Sequence, residues 1–366
     1  MRMGYSIFSF FSGSGFLDLG FEMSGFSIDL VNEYSKAFIN AYKYSRQRMG
    51  MAEPKYGYQN IDVNEYLSVR ADELSGYIRS EREAGNLVGF IGGPPCPDFS
   101  VAGKQRGRNG DNGKLSLSYI QLIIAQKPDF FLFENVKGLW KTAKHRAFYE
   151  ELKAMLDAGY KMSNRLTNSI EFGAPQDRDR ILLFGINRNS FPNTDIMKFP
   201  WKSHIIYDWK QVRFMHWPQT DIFAENSDRE CPTDIPRELT VQYWFDKNDV
   251  THHPNAVDCF VPRQGLSKML VVEEGDVSKK SHKRLHRWRY SPTVAYGNNE
   301  VHLHPYHARR LTVAEALALQ SLPKEFALPS DMSLTDKFKT TGNGVPYLMA
   351  KGIATTIRDY LNEIVK

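Results

Sequence analysis

Five short runs of β-branched, aromatic and aliphatic residues punctuate the first half of the chain: Ser6 to Phe11, Ser27 to Val31, Leu87 to Ile91, Phe130 to Phe133 and Arg180 to Ile186. Between them, Leu17 to Ser24, Leu117 to Gln126 and Ala147 to Ala158 carry apolar residues three and four apart, the spacing of a helix that buries one face. Apolar runs that alternate with such helices predict a mostly parallel, doubly wound sheet covered on both sides. The expected class is α/β. Composition agrees: 366 residues, 42% hydrophobic, with a mean hydropathy of −0.46, can bury a core, which excludes disorder and fibre. No apolar run approaches the roughly 20 residues that a bilayer span needs. The opening MRMGYSIFSFFSGSGF is interrupted by Ser and Gly and is followed by no small-residue cleavage site, so it reads as a buried strand and not a leader. The three cysteines, Cys96, Cys231 and Cys259, form no Cys-x-x-Cys pair; neither a disulfide framework nor a zinc knuckle is indicated, and a reducing cytoplasm fits.

From about Phe191 to Tyr306 helical periodicity fades, Pro, Asn, Asp and His are frequent, and Trp201, Trp209, Trp217, Trp244 and Trp288 hold five of the six tryptophans. This reads as a second, smaller, loop-rich domain built for contact. Helical pattern then returns. Thr312 and Glu315 form a capping box before Val313 to Gln320, and Val345 to Leu361 reads as a final helix packing back on the first domain.

Several patterns carry chemistry. Ser6 to Phe11 leads into Ser12-Gly13-Ser14-Gly15, then a helix, then Glu33, which lies 33 − 13 = 20 residues after Gly13. Glycines let a backbone approach a ligand at a helix N-terminus, and a carboxylate at that distance accepts hydrogen bonds from ribose hydroxyls. Phe16 stands where a dinucleotide fingerprint has a small residue, so an adenosine without a pyrophosphate suits the loop better. Cys96 follows a buried strand and is flanked by Pro95 and Pro97, which forces an extended loop and puts the thiol at a sheet's carboxyl edge. Glu134 ends the apolar run Phe130-Phe-Leu-Phe, where desolvation raises a carboxyl's pKa and lets it hold a proton near neutrality. In Gln176-Asp-Arg178-Asp-Arg180, residues two apart face one side of an extended chain, so two guanidiniums can converge.

The net charge, 47 − 42 = +5, is too small to argue for nucleic acid, but its local concentration does more. Ser100 to Lys114 carries Lys104, Arg106, Arg108 and Lys114 between glycines. Ser278 to Tyr290 carries Lys279, Lys280, Lys283, Arg284, Arg287 and Arg289 without an acid, interleaved with His282, His286, Trp288 and Tyr290. Basic loops with aromatics suit phosphates and bases.

Taken in order, these segments resemble the C5-cytosine DNA methyltransferases that use S-adenosylmethionine. Phe11-Ser-Gly-Ser-Gly15 is similar to the family's cofactor loop, Glu33-Tyr34 to its ribose-binding acid and adjoining aromatic, and Asn60-Ile61 to its adenine-binding Asp-Ile. Gly93-Pro-Pro-Cys96 resembles the nucleophile loop and Asn112-Gly113-x-Leu115 the Arg-Gly-x-Leu after it. Glu134-Asn-Val, Gln176-x-Arg178-x-Arg180, Arg309-x-Leu-Thr312 and Gly342-Asn343-x-Val-Pro346 follow the family's remaining motifs. The chain departs from the family pattern at Phe10, Phe16, Asn60, Pro97 and Asn112; an Asn at 60 still offers an amide oxygen to the adenine amino group, with Asp62 as a neighbouring alternative.

The resemblance implies a Rossmann-like methyltransferase domain over residues 1–190 and 338–366, with target recognition and hinge over 191–337. It implies that Cys96 adds to C6 of a flipped-out cytosine, that protonated Glu134 binds N3 and the exocyclic amine, that Arg178 binds O2, and that Arg180 orients its neighbours. Phe11, Gly13, Ser14, Gly15, Glu33, Tyr34, Asn60, Ile61, Pro95, Leu115 and Asn343 are implied to bind the cofactor. Ser100, Lys104, Arg106, Arg108 and the six cations from Lys279 to Arg289 are implied to contact double-stranded DNA. No metal is expected. The implied setting is a monomeric bacterial modification enzyme, with any cognate restriction endonuclease acting separately. A tRNA cytosine-5 methyltransferase of the same fold and a DNA-binding homologue without turnover remain the alternatives; a nicotinamide oxidoreductase leaves Cys96 and the basic loops unexplained.

Overall fold

The computed structural model describes residues 4–95, 111–261, 266–279, 281–294 and 302–365. Seven strands form one sheet: β1 (Tyr5–Phe10), β2 (Ser27–Asn32), β3 (Tyr58–Gln59), β4 (Leu87–Gly92), β5 (Phe130–Val136), β6 (Tyr160–Asn168) and β7 (Asp179–Asn187). Their order is β3-β2-β1-β4-β5-β7-β6. The pairs among β1 to β5 are parallel, whereas β7 runs antiparallel to both β5 and β6. From β1 the chain winds outward on one side to β2 and β3, then returns to β4 on the other, so the carboxyl edge at β1 and β4 is the topological switch point where such sheets bind ligands.

The helices of this half are α1 (Phe16–Glu22), α2 (Lys36–Arg48), α3 (Ala71–Glu83), α4 (Asp111–Gln126), α5 (Gly138–Lys141) and α6 (Ala143–Leu156). Strand alternation feeds both faces. Phe130 and Leu132 join Ile7 and Ile91 in one cluster, while Phe131 and Phe133 join Phe8, Phe10 and Phe90 in another, beneath Tyr119, Leu122 and Leu152 of α4 and α6. β6 carries no apolar run; its sequence YKMSNRLTN is half-buried at the sheet's edge, which is why hydrophobic pattern does not reveal it.

The remaining elements are α7 (Trp209–Arg213), α8 (Val241–Lys247), α9 (Leu266–Leu270), the two-residue strands β8 (Lys283–Arg284) and β9 (His302–Leu303), α10 (Val313–Leu319), α11 (Leu334–Asn343) and α12 (Tyr347–Ile364). The capping box is formed: Thr312 Oγ1 accepts from the Glu315 amide, and the Glu315 carboxylate accepts from the Thr312 amide. α12 lays Met349, Ile353 and Ile357 into the sheet's first cluster, and Phe191, Ile196, Phe199 and Trp201 pack into that same cluster. The tryptophans are mainly core, not contact surface. Trp201, Trp217, Trp244 and Trp288 are buried, the last three in two small clusters that substitute for regular sheet packing.

Candidate active site

At the carboxyl end of β1 the backbone enters the left-handed region at Phe11, Gly13 and Gly15. The Ser12 amide donates to the Asn32 carbonyl at 3.2 Å and the Gly15 amide to the Ser12 carbonyl at 2.9 Å, which closes the turn. Glu33 clasps it: Oε2 accepts from the Gly13 amide at 2.8 Å and Oε1 from the Ser35 amide at 2.7 Å. Burial raises the Glu33 pKa, opposed by those two amides and by the charge of Lys339. Tyr34 beside it is 76% exposed, a free aromatic face at the rim. Asn60 donates through Nδ2 to the carbonyls of Glu33 and Tyr34, both at 2.8 Å, so its amide oxygen is the end left to accept. The Ile61 carbonyl accepts from Asn32 Nδ2. Asp62, the neighbouring alternative, is instead the N-cap of the turn at Val63–Leu67. Across the loop, the buried Ser14 hydroxyl meets Thr340 Oγ1 of α11 at 2.7 Å, and Asn343 ends α11 exposed. Leu115 is half-buried against the second cluster, and Pro95 is exposed. A carboxylate with lone pairs to spare, an open aromatic ring and an oriented amide oxygen fit an adenosine. Among the described residues no group of three or more His, Cys, Asp or Glu is placed to hold a metal ion.

The second part of the site is the end of β5. Glu134 is 8% exposed, and Arg180 Nε lies 2.6 Å from its Oε1. The antiparallel register brings them together, with Glu134 opposite Leu182 and Val136 opposite Arg180. Burial raises the Glu134 pKa, opposed first by Arg180 and then by Arg178. The other oxygen faces the segment leaving β4: a Cβ built on Gly93 would come within 2.6 Å of Glu134 Oε2, so a side chain there would push that oxygen aside. The chain reaches Cys96 three residues later. Cys96, Ser100, Lys104, Arg106 and Arg108 lie outside the described residues, as does Lys280.

The two arginines have different partners. Arg178 is 2% exposed and spans separate segments, donating to the Val294 carbonyl at 2.8 Å and the Gly342 carbonyl at 2.7 Å. Gln176, fully buried, accepts from the Val294 amide and donates to the Leu319 carbonyl. Arg178 therefore ties the site's floor to the chain on both sides, and Arg180 is the guanidinium against the acid. Nothing local distinguishes the two; Arg178's partners are 116 and 164 residues away.

The basic stretch also divides. Arg284 is 0% exposed, stacks 3.7 Å from the Phe223 ring centre and donates to the carbonyls of Met269, Val272, His304 and His307; burial pushes its pKa down to about 10. Arg287 is 3% exposed and forks onto Glu274 at 2.8 Å. The expectation that both contact DNA is corrected: their donors are spent on protein partners. Lys279 is exposed, and Lys283 and Arg289 are half-buried.

Residues 5–359 match the family described as C-5 cytosine-specific DNA methylase. The chain is 56% identical over 357 residues to the Type II methyltransferase M.NmeDI of Neisseria meningitidis serogroup C, covering 97% of this chain and 84% of that one. It is 29% identical to the Type II methyltransferase M.FnuDI of Fusobacterium nucleatum, over 96% and 95% of the two chains. Its fold is similar to that of a prophage-encoded DNA modification methyltransferase of E. coli, with a TM-score of 0.67 at 21% identity over 98% of this chain and 100% of that one. It is also similar to a Spodoptera frugiperda DNMT2, with a TM-score of 0.58 at 16% identity over 99% and 100%.

Proposed function

The chain belongs to the C-5 cytosine-specific DNA methylase family and is a DNA cytosine-C5 methyltransferase, and on that premise we propose that it methylates a flipped-out cytosine in double-stranded DNA through a Cys96 adduct. The observation that carries the reading is the buried Glu134–Arg180 pair, whose second carboxyl oxygen faces Gly93 at the entrance to the Cys96 loop. S-adenosylmethionine, held by Glu33, Tyr34, Asn60 and the Gly13–Gly15 turn, supplies the methyl group as an electrophile.

Cytosine C5 is a weak nucleophile. The Cys96 thiolate forms a bond to C6 and pushes the ring's electron pair toward C5. Charge then builds on N3, which Glu134, its pKa raised by burial, meets through Oε2 as proton donor while Oε1 stays on Arg180. Arg180, beside the acid, takes the place next to the ring that the resemblance implied for Arg178. Once C5 has taken the methyl group, with S-adenosylhomocysteine as the leaving group, the C5 proton passes to water, the electron pair it leaves re-forms the C5–C6 double bond, and the bond to sulfur breaks to restore the thiolate. A thiolate adds to C6 from the face of the ring, and in a duplex the stacked neighbours cover both faces, so the ring must leave the duplex, at a cost of a few kcal/mol. The names of the relatives favour a Type II modification role, with any endonuclease a separate protein.

The test is a duplex bearing 5-fluorocytosine at the target, which cannot lose its C5 substituent as a proton. Incubated with protein and S-adenosylmethionine, it is expected to become covalently linked at Cys96, read by denaturing gel and peptide mass. Turnover of ordinary DNA without that linkage sinks the covalent route. Label transferred to tRNA alone overturns the substrate.

A further inference from the structure

A buried charged cluster that this chemistry does not use lies under the cofactor loop. Asp18 and Glu22 stand one turn apart on α1, among buried Phe16, Leu19 and Phe21. Two carboxyls on the inner face of a helix call for a cation. Arg46 of α2, 1% exposed, supplies it: Nε lies 2.8 Å from Glu22 Oε2, and the guanidinium lies 4.4 Å from the Tyr42 ring centre. Ser9 Oγ donates to Asp18 Oδ1 at 2.9 Å. The fork then goes further than an ion pair requires, because Nη2 donates to the Gly15 carbonyl at 2.7 Å. That oxygen also accepts from the Leu19 amide at 3.0 Å, so it is held from two sides.

Gly15 is the N-cap of α1, at φ 79°, with no side-chain cap. A Cβ there would lie 2.4 Å from the Tyr42 ring and 2.8 Å from Arg46 Nη2, so both conformation and space demand glycine. The turn held in this way is the one whose Gly13 amide meets Glu33. We propose that Arg46, backed by Tyr42 and charge-matched by Glu22, is a positioning residue for the methyl donor: it fixes the left-handed turn at Gly13–Gly15 in its binding shape before the donor arrives. The inference rests on the cofactor reading above. It locates the effect in cofactor affinity and not in the chemical step, since the hydrogen bonds of Arg46 go to Glu22, Ser45 and the Gly15 carbonyl.

Calorimetric titration of the full chain with S-adenosylmethionine, beside thermal unfolding and turnover at saturating DNA, tests it. Arg46→Met is expected to raise the cofactor Kd about tenfold or more and to raise KM in step, with kcat at saturation falling less than about threefold; Arg46→Lys, able to keep one of the two bonds, recovers part of the affinity. A folded Arg46→Met with lowered Tm and wild-type Kd overturns the proposal, because a merely structural residue behaves that way. If Arg46→Met does not fold, Glu22→Gln decides: a Kd raised about threefold supports the proposal, and an unchanged Kd overturns it. Absence of binding to the wild-type chain overturns the cofactor reading and this inference with it, whereas wild-type binding with unaltered variants overturns the inference alone.

Discussion

Two buried arginine–glutamate pairs flank the ligand edge of the sheet, Arg46–Glu22 under the cofactor loop at 2.8 Å and Arg180–Glu134 at the end of β5 at 2.6 Å. Their separations are alike and their surroundings are not. Arg46 spends its fork on Glu22, Ser45 and the Gly15 carbonyl, and a second buried acid, Asp18, shares its field. The Glu134 carboxyl commits one oxygen to Arg180 and turns the other toward Gly93, three residues before Cys96 in sequence. Burial raises the pKa of both acids, but only Glu134 turns an oxygen toward the segment that leaves β4. On the proposed function, an identical pair of residue types is scaffold in one setting and chemistry in the other, and the direction of the spare oxygen separates them.

The sharpest way to break this comparison is to neutralise each acid in turn. Glu134→Gln keeps the shape and a donor but cannot deliver a proton, and kcat is expected to fall about 100-fold or more in a methyl-transfer assay. Glu22→Gln acts mainly on KM for S-adenosylmethionine. Comparable losses of kcat in the two variants would remove the distinction.

The two arginines of β7 and its approach form the next contrast. Arg180→Lys keeps a charge near Glu134 without the fork and is expected to lower kcat about 10- to 100-fold with little change in Tm. Arg178→Lys leaves either the Val294 or the Gly342 carbonyl unpaired, a cost of about 1–3 kcal/mol, so it lowers Tm more and kcat less. The reverse ordering would return the ring-side role to Arg178.

Much of this site was legible in the chain. The strand, glycine turn and acid from Ser6 to Glu33, and the acid ending Phe130–Phe133, are local patterns, and local patterns survive folding. What was hidden depends on distant partners. Arg178 and Arg180 look alike until Val294 and Gly342 arrive, and Arg284 looks like a DNA contact until four carbonyls converge on it. β6 was unreadable because a polar edge strand has no apolar face to betray it. The Arg46 cluster did leave a trace: Asp18 and Glu22 lie four apart on an otherwise apolar helix, a spacing that puts both on one buried face and demands a counterion.

The same cluster makes stability depend on pH. Burial pushes Glu22 up to about 7 and Asp18 up to about 6, from ordinary carboxylate values of 4.5 and 3.8. A carboxyl whose folded pKa is raised binds its proton more tightly when folded, so its contribution is complete below about pH 4 and is lost as pH rises toward about 7. Denaturant unfolding at pH 5 and pH 8 is expected to show the wild type losing on the order of 2 kcal/mol more than Glu22→Gln over that interval. Parallel pH profiles in the two proteins would mean that Arg46 already keeps Glu22 ionised throughout.

The smallest effect separates the cations between Lys279 and Arg289. Each phosphate contact removed from a protein–DNA complex lowers the slope of log K against log salt by about 1. Lys279→Ala and Arg289→Ala, which alter side chains with exposed surface, are each expected to reduce that slope by about one and to weaken binding severalfold across all sequences. Arg284→Met is expected to leave the slope alone while lowering Tm, because its guanidinium holds the Met269, Val272, His304 and His307 carbonyls together and has no surface to offer a phosphate. A slope change at Arg284→Met without loss of stability would mean that DNA binding opens this core, making the buried arginines a reserve of contacts instead of the region's internal cement.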